Sequence, residues 1–265
     1  MGRADHMTDI RYLLGIAENA ALEAGKAIME VYRSGEFEVK MKKGGSPVTR
    51  ADRNAHDILT KHLGKTNLPV LSEEGADIEF AKRRSWDYFW LIDPLDGTEE
   101  FIDRKDEFTV NIGLVKRGIP VGGVIYMPCT DAMYAGSPET GAYKKKKGKL
   151  TSFLPRAERI RLENLLKRGQ ITVAVSRSHF SAETKDFTGR FKNVTLRPAG
   201  SSLKFMMLLE NRADIYPRFG TTMEWDTAAA HAILNASNRG VYQQDMSAEL
   251  RYNKPDLRNP YFIAL

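Results

Sequence analysis

Residues 88–101 read YFWLIDPLDGTEEF, and this stretch constrains the fold more than any other part of the chain. A run of bulky apolar residues ending in acid predicts a buried strand. Pro94 has no N–H to donate, so the ladder is expected to stop there. Asp96-Gly97 then favours a tight turn whose exposed amides lead into a helix. On that bend Asp93, Asp96 and the Leu95 carbonyl can face one point, although an ordinary Asp-Gly turn would explain the two acids equally well.

Other acids repeat the placement. Glu73 and Glu74 close a second short apolar run, LPVLSEEG, and Asp226 stands where an N-cap belongs at the head of EWDTAAAHAIL. Carboxylates gathered at element ends raise one another's pKa and resist ionising together, so the cluster calls for a cation. Hard oxygen ligands favour Mg²⁺ or Ca²⁺ over zinc. DPLDG lacks the alternating acids and the final glutamate of a calcium EF-hand, which leaves Mg²⁺, with Mn²⁺ as a substitute. Such a site suits phosphate chemistry, since the ions bind phosphoryl oxygens, lower the pKa of a bound water and stabilise the leaving oxygen.

Along the chain, Ile10, Leu13, Leu14, Ala17, Ala20, Ala21, Ala24, Ala27, Ile28 and Val31 recur at three-to-four spacing and predict a long amphipathic helix. Thr49 and Asp52 form a capping-box pattern for a second helix. FTVNIGLV, VGGVIYM and AMYAGS predict a strand meander. ITVAVS predicts a strand, residues 202–209 a helix and ADIYPRF a further strand. The expected architecture is a layered α+β fold. Residues 1–7, with the His6-Met7 pair, read as a tag or cloning scar. Residues 8–150 form the expected first lobe, with most of the acids, and 151–265 the second, with Asp226.

With 265 residues, 42% of them hydrophobic, the chain can bury a substantial core. No apolar run is long enough to span a membrane, and the charged start does not read as a signal peptide. A cytoplasmic protein is expected, peripheral at an inner membrane at most, and either monomer or homodimer. Cys129, the only cysteine, excludes an internal disulfide and any multi-cysteine zinc site. The net charge of +6 suits an anionic partner, nucleic acid or a phosphorylated metabolite. YKKKKGK at 143–149, with one aromatic and no arginine, is read as a solvated loop, not a nucleic-acid patch. A phosphate-binding G-x-x-x-x-G-K-[ST] loop, a G-x-S-x-G elbow and an H-E-x-x-H pair are absent, and Ala135 stands where a cysteine phosphatase needs arginine.

DPLDGTEEF, the upstream EE and the downstream WDTAAA together resemble the signatures of the inositol monophosphatase superfamily of Mg²⁺-dependent, lithium-sensitive phosphatases. SPVTRAD, EFTVNIGLV, AVSRSH, GSSLKF, YPRFG and NPYF resemble its CysQ-type 3′(2′),5′-bisphosphate nucleotidases. The likeness runs from about residue 10 to the C-terminus. It implies the αβαβα sandwich of the inositol monophosphatase and fructose-1,6-bisphosphatase type, with Glu73, Asp93, the Leu95 carbonyl, Asp96 and Asp226 as ligands of two or three Mg²⁺ ions.

It further implies that Glu73, Asp52 and Thr98 act in catalysis, the last two orienting and deprotonating the attacking water. On a purely structural reading Asp52 and Thr98 are helix caps, and the two roles can coexist. The Gly97 and Thr98 amides would hold phosphate oxygens. His179, Ser201, Lys204 and Arg218 would bind a small nucleotide, with Lys204 and Arg218 on its second phosphate. The expected reaction converts adenosine 3′,5′-bisphosphate to AMP and phosphate by attack of a metal-bound water, a step serving sulfur metabolism. Inositol-1-phosphate or fructose-1,6-bisphosphate hydrolysis is the alternative. A basic nucleic-acid-binding protein with a structural metal site is the remote one. Glu99 departs from the pattern, standing where these nucleotidases usually carry lysine, and leaves substrate preference open.

Overall fold

The computed structural model describes residues 9–42, 44–75, 78–177 and 180–265. Helix α1 (Ile10–Ser34) opens the chain. The short hairpin of β1 (Lys40–Met41) and β2 (Pro47–Val48) follows, then α2 (Arg50–Leu63). Strands β3 (Val70–Ser72), β4 (Tyr88–Asp96), β5 (Thr109–Lys116), β6 (Ile119–Met127), β7 (Ala132–Ser137), β8 (Gly141–Lys146) and β9 (Lys149–Phe153) build one seven-stranded sheet in that order. Helices α3 (Phe80–Arg83) and α4 (Thr98–Ile102) flank β4.

In the second half, α5 (Leu162–Leu166), β10 (Ile171–Ser176), α6 (Ala182–Thr188) and β11 (Val194–Ala199) precede α7 (Leu203–Leu209) and β12 (Tyr216–Arg218). Helix α8 (Glu224–Asn235) and strands β13 (Val241–Gln243) and β14 (Phe262–Ala264) complete the fold. Strands β10 and β11 pair in parallel, and β14 lies between β12 and β13.

Strand alternation sets the layers. Trp90 and Ile92 of β4 join the apolar residues of α1 and α2, whereas Phe89 and Leu91 point to the opposite face and meet Ala228, Ala229 and Ile233 of α8. Both faces of the sheet are thus covered by helices, so nearly every residue of β4 and β5 is buried and most are apolar. Beyond α7 and α8 lie the smaller sheets, whose outer side carries Leu165 of α5 and Phe187 of α6. The order helix, sheet, helix, sheet, helix is the αβαβα sandwich expected.

Close approach explains the alanines of α8. A Cβ at Gly123 on β6 would stand 2.1 Å from the Ala229 carbonyl oxygen, so helix and sheet touch backbone to backbone.

Two readings need correction. The ladder does not end at Pro94. It skips two residues in a bulge after Asp93 and resumes at Asp96, opposite Thr109, because a bulge tolerates the missing N–H. The lysine run is not a loop. Residues 141–153 form the β8–β9 hairpin turning at Lys147-Gly148, where Lys144 and Lys145 pair with Glu210 and Glu18. Cys129 is half-buried, its thiol pushed up to about 12 by burial and by Asp106, against reactivity.

Candidate active site

The capping box of α2 builds the first part of the site. Thr49 is the N-cap, and its amide and hydroxyl both donate to Oδ2 of Asp52, at 2.7 and 2.5 Å. Oδ1 of Asp52 is left to accept from the Thr98 hydroxyl at 3.0 Å, which also lies 3.2 Å from the Leu95 carbonyl. Thr98 is not the cap of its helix. Gly97 occupies that position with φ of 92°, a left-handed conformation that suits glycine, and Thr98 begins α4. The Thr98 side chain is thereby released to face Asp52. Burial raises the Asp52 carboxyl, the Thr49 and Thr98 hydrogen bonds oppose that shift, and Glu74 adds to it.

Three more carboxyls gather where β4 ends and α8 begins. Asp93 is buried and accepts from the Leu95 amide at 3.1 Å across the bulge. Oδ2 of Asp96 accepts from Asn111 and Ser202, each at 3.1 Å. Asp226 is not the N-cap of α8. Met223 is, and Asp226 three residues on accepts the Met223 amide at 2.8 Å. The shift of three positions keeps Asp226 at the helix start, where the dipole favours its charge.

The electrostatics tie these groups together. Asp93 is raised well above the usual carboxylate range by burial, then by Glu73, Asp96, Asp226 and Asp52. Asp226 is raised by burial, then by Asp96 and Glu73. Asp96 is raised by burial, with Lys204 pulling the other way.

Among the described residues, however, no three His, Cys, Asp or Glu side chains are grouped so as to hold a metal ion. Each acid is held by its own local donors, and Glu73 and Glu74 both pair with Lys42 Nζ at 2.7 Å. The donor chemistry nonetheless fits a hard divalent cation, being all oxygen and excessively acidic for so buried a place.

Asp96 and Asp226 line a pocket of about 150 Å³ together with Gly97, Ser201, Lys204 and Arg218. Lys204 is buried, and its ammonium donates to the carbonyls of Ser201 and Ala199 at 2.7 and 3.2 Å. Burial pushes its pKa down to about 8 against the pull of Asp96. Arg218 reaches the Thr221 carbonyl through one Nη, while its Nε is buried without a partner. Ser201 has φ of 41°, a strained value for a residue with a side chain. Glu99 is exposed, and the buried Glu100 lines the pocket in its place. His179 lies outside the described residues.

The family model described as Inositol monophosphatase family matches residues 9–259. The chain belongs to the inositol monophosphatase family. Within that family it is 41% identical over 225 residues to the 3′(2′),5′-bisphosphate nucleotidase CysQ of Escherichia coli K12, covering 84% of this chain and 87% of that one. The CysQ of Haemophilus influenzae is 34% identical over 249 residues, 92% of this chain and 88% of its own. The crystal structure of CysQ from Bacteroides thetaiotaomicron superposes with a TM-score of 0.81 at 41% identity, covering 98% of both chains.

Several residues given no role at the sequence level support the site. Glu107 takes a two-pronged hydrogen bond from Arg177 at 2.6 and 2.9 Å and also accepts the Gly200 amide at 2.8 Å, pinning the loop that carries Ser201. Ser202 lies between Asp96 and the Asp226 backbone carbonyl. Lys42 carried no sequence signal, because a lone charged residue in a polar stretch reads as surface, and Glu107 stood in a motif, EFTVNIGLV, without a role assigned to it.

Proposed function

We propose that this inositol monophosphatase family member hydrolyses the 3′-phosphate of adenosine 3′,5′-bisphosphate to AMP and phosphate with Mg²⁺ as cofactor. The observation that carries the reading is one pocket lined by the acids Asp96 and Asp226 together with the cations Lys204 and Arg218. The likeness to CysQ nucleotidases over most of the chain supports the nucleotide as substrate.

Glu73, Asp93, Asp96, Asp226 and the Leu95 carbonyl would hold two or three Mg²⁺ ions, with Mn²⁺ as a substitute. When bound, those ions supply charge for the phosphoryl oxygens and the leaving oxygen. The chain does the rest. The Thr98 hydroxyl proton is directed at Asp52, so the Thr98 oxygen can accept a hydrogen from an attacking water and orient it. Asp52, whose carboxyl is raised by burial, is suited to receive the proton.

The Gly97 and Thr98 amides open toward phosphate oxygens. Arg218, with its unpartnered Nε, meets the second phosphate. Lys204 holds the Ala199–Ser201 turn and lends positive charge, and His179 contacts the sugar or base. No described helix is long and apolar enough to cross a membrane, and a cytoplasmic monomer or homodimer is the accompanying proposal.

The test is phosphate release, with Mg²⁺, from adenosine 3′,5′-bisphosphate, inositol 1-phosphate and fructose 1,6-bisphosphate side by side. The nucleotide is expected to be turned over with the highest kcat/KM. A higher value for either sugar phosphate would overturn the nucleotide reading while keeping the acidic site.

A further inference from the structure

We propose a second anion site, far from the acidic cluster, in the pocket between β9, the end of α7 and the chain that follows α8, where Arg156 and Arg239 would hold a phosphate- or sulfate-type oxyanion. Arg239 is 2% exposed, and its Nη2 donates to Oδ1 of Asn211 at 2.8 Å. Arg156 donates to the same oxygen at 2.5 Å. Nη1 of Arg239 is buried and has no partner. Two guanidinium groups therefore share one neutral acceptor.

The nearby acids are engaged elsewhere. Asp214 accepts from Arg168 and from the Thr172 amide, each at 2.8 Å. Glu210 accepts from Tyr134, Lys144 and Arg212. The carbonyl ends of α7 and α8 supply only partial negative charge. Burial, then Arg156, lowers the Arg239 pKa to about 10, with Asp214 pulling the other way.

A buried cationic donor left unpaired is costly, and an oxyanion in the pocket that both arginines line would offset the positive charge of the pair. The pocket measures about 510 Å³, within the roughly 300–1,000 Å³ of small-molecule sites. Its wall includes Phe153, Leu209 and Leu154, the last 88% exposed. Such a wall favours an oxyanion carried on an organic group. The site is separate from the acidic one, because Lys204 and Asp226 stand near the starts of α7 and α8 whereas Asn211 and Arg239 follow their ends.

Titration calorimetry on the Mg²⁺-free protein, with inorganic sulfate and with phenyl sulfate as probes, tests this. Both should bind. Arg156→Met, at a half-exposed position that the fold tolerates better than a change at Arg239, should weaken binding at this site about tenfold, whereas Arg218→Ala should leave the affinity of this site unchanged. Tighter binding of phenyl sulfate assigns the site to esters, and equal binding assigns it to the free ion. No binding, or binding lost in Arg218→Ala and kept in Arg156→Met, overturns the proposal.

Discussion

The Thr98 hydroxyl donates to Oδ1 of Asp52 at 3.0 Å, joining the first turns of α4 and α2 across 46 positions of sequence. Asp52 caps α2 with one oxygen and addresses the site with the other, so a structural device and a chemical one share a single carboxylate. Asp52→Asn and Thr98→Val should each lower kcat about 10²- to 10⁴-fold, the usual contribution of a general base. The melting temperature should change little, since asparagine retains an acceptor for the Thr49 amide. Steady-state kinetics beside thermal unfolding would check this, and a variant with normal kcat would remove the pair from catalysis.

Lys204 and Arg218 are expected to behave differently. Arg218→Ala should raise KM for a bisphosphate far more than for a monophosphate. Lys204→Met releases the Ala199 and Ser201 carbonyls and should lower kcat/KM for both substrates, with a lower melting temperature. Parallel kinetics on the two substrates, with a melting curve for each variant, decide between these patterns.

Metal and pH should be linked. Asp93, Asp96 and Asp226 are raised by burial, Asp93 also by Glu73, Asp96 and Asp226, and Asp226 also by Asp96 and Glu73. Without metal the folded state therefore holds protons that the unfolded chain releases. That stability is present below the ordinary carboxylate range and is lost as pH rises through the raised values. Mg²⁺ should then increase the melting temperature more at about pH 8 than at about pH 5.5, and its binding should release protons. Scanning calorimetry in matched buffers reads the first effect and titration in weak buffer the second.

His231 gives an opposite slope. It is fully buried between the Tyr252 hydroxyl at 2.9 Å and Glu249 at 3.0 Å, and burial, with Arg159, pushes its pKa down to about 3. The folded imidazole stays neutral while the unfolded one gains a proton below its ordinary value of 6.5. Stability should fall as pH drops from there toward about 3, by up to about 1.4 kcal/mol per pH unit. Urea unfolding of His231→Gln against the wild type, at a series of pH values, should show a smaller slope in the variant.

Gly123→Ala should destabilise by about 1–3 kcal/mol or more, because the new methyl would meet the Ala229 carbonyl, and backbone on both sides resists displacement. The midpoint of chemical denaturation measures this directly.

Much of the fold was legible. Periodicity located α1, with Leu13, Leu14, Ala17, Ala20 and Ala24 on its buried face. The Thr49–Asp52 spacing identified the start of α2, and the acid-ended apolar runs identified β3 and β4. The acid motifs pointed to the family. Asp226 was misplaced as a cap because an acid at the N-cap and an acid three residues on both accept a backbone amide at the helix start. The lysine hairpin was misread because charge normally marks loops, whereas here paired partners, Glu18 on α1 and Glu210 after α7, come from distant parts of the chain.

The sequence by itself determined the local chemistry: which residues are acidic, where the chain bends and which faces are apolar. These depend on neighbours a few positions apart, which composition and spacing encode directly. The tertiary structure alone decided that Lys42 meets Glu73 and Glu74, that Glu107 ties Arg177 to Gly200, and that Lys204 closes on the carbonyls before it. Burial and its pKa consequences were decided there too. Such relations arise from the packing of layers around a shared core, where contact depends on the path of the whole chain and not on spacing along it.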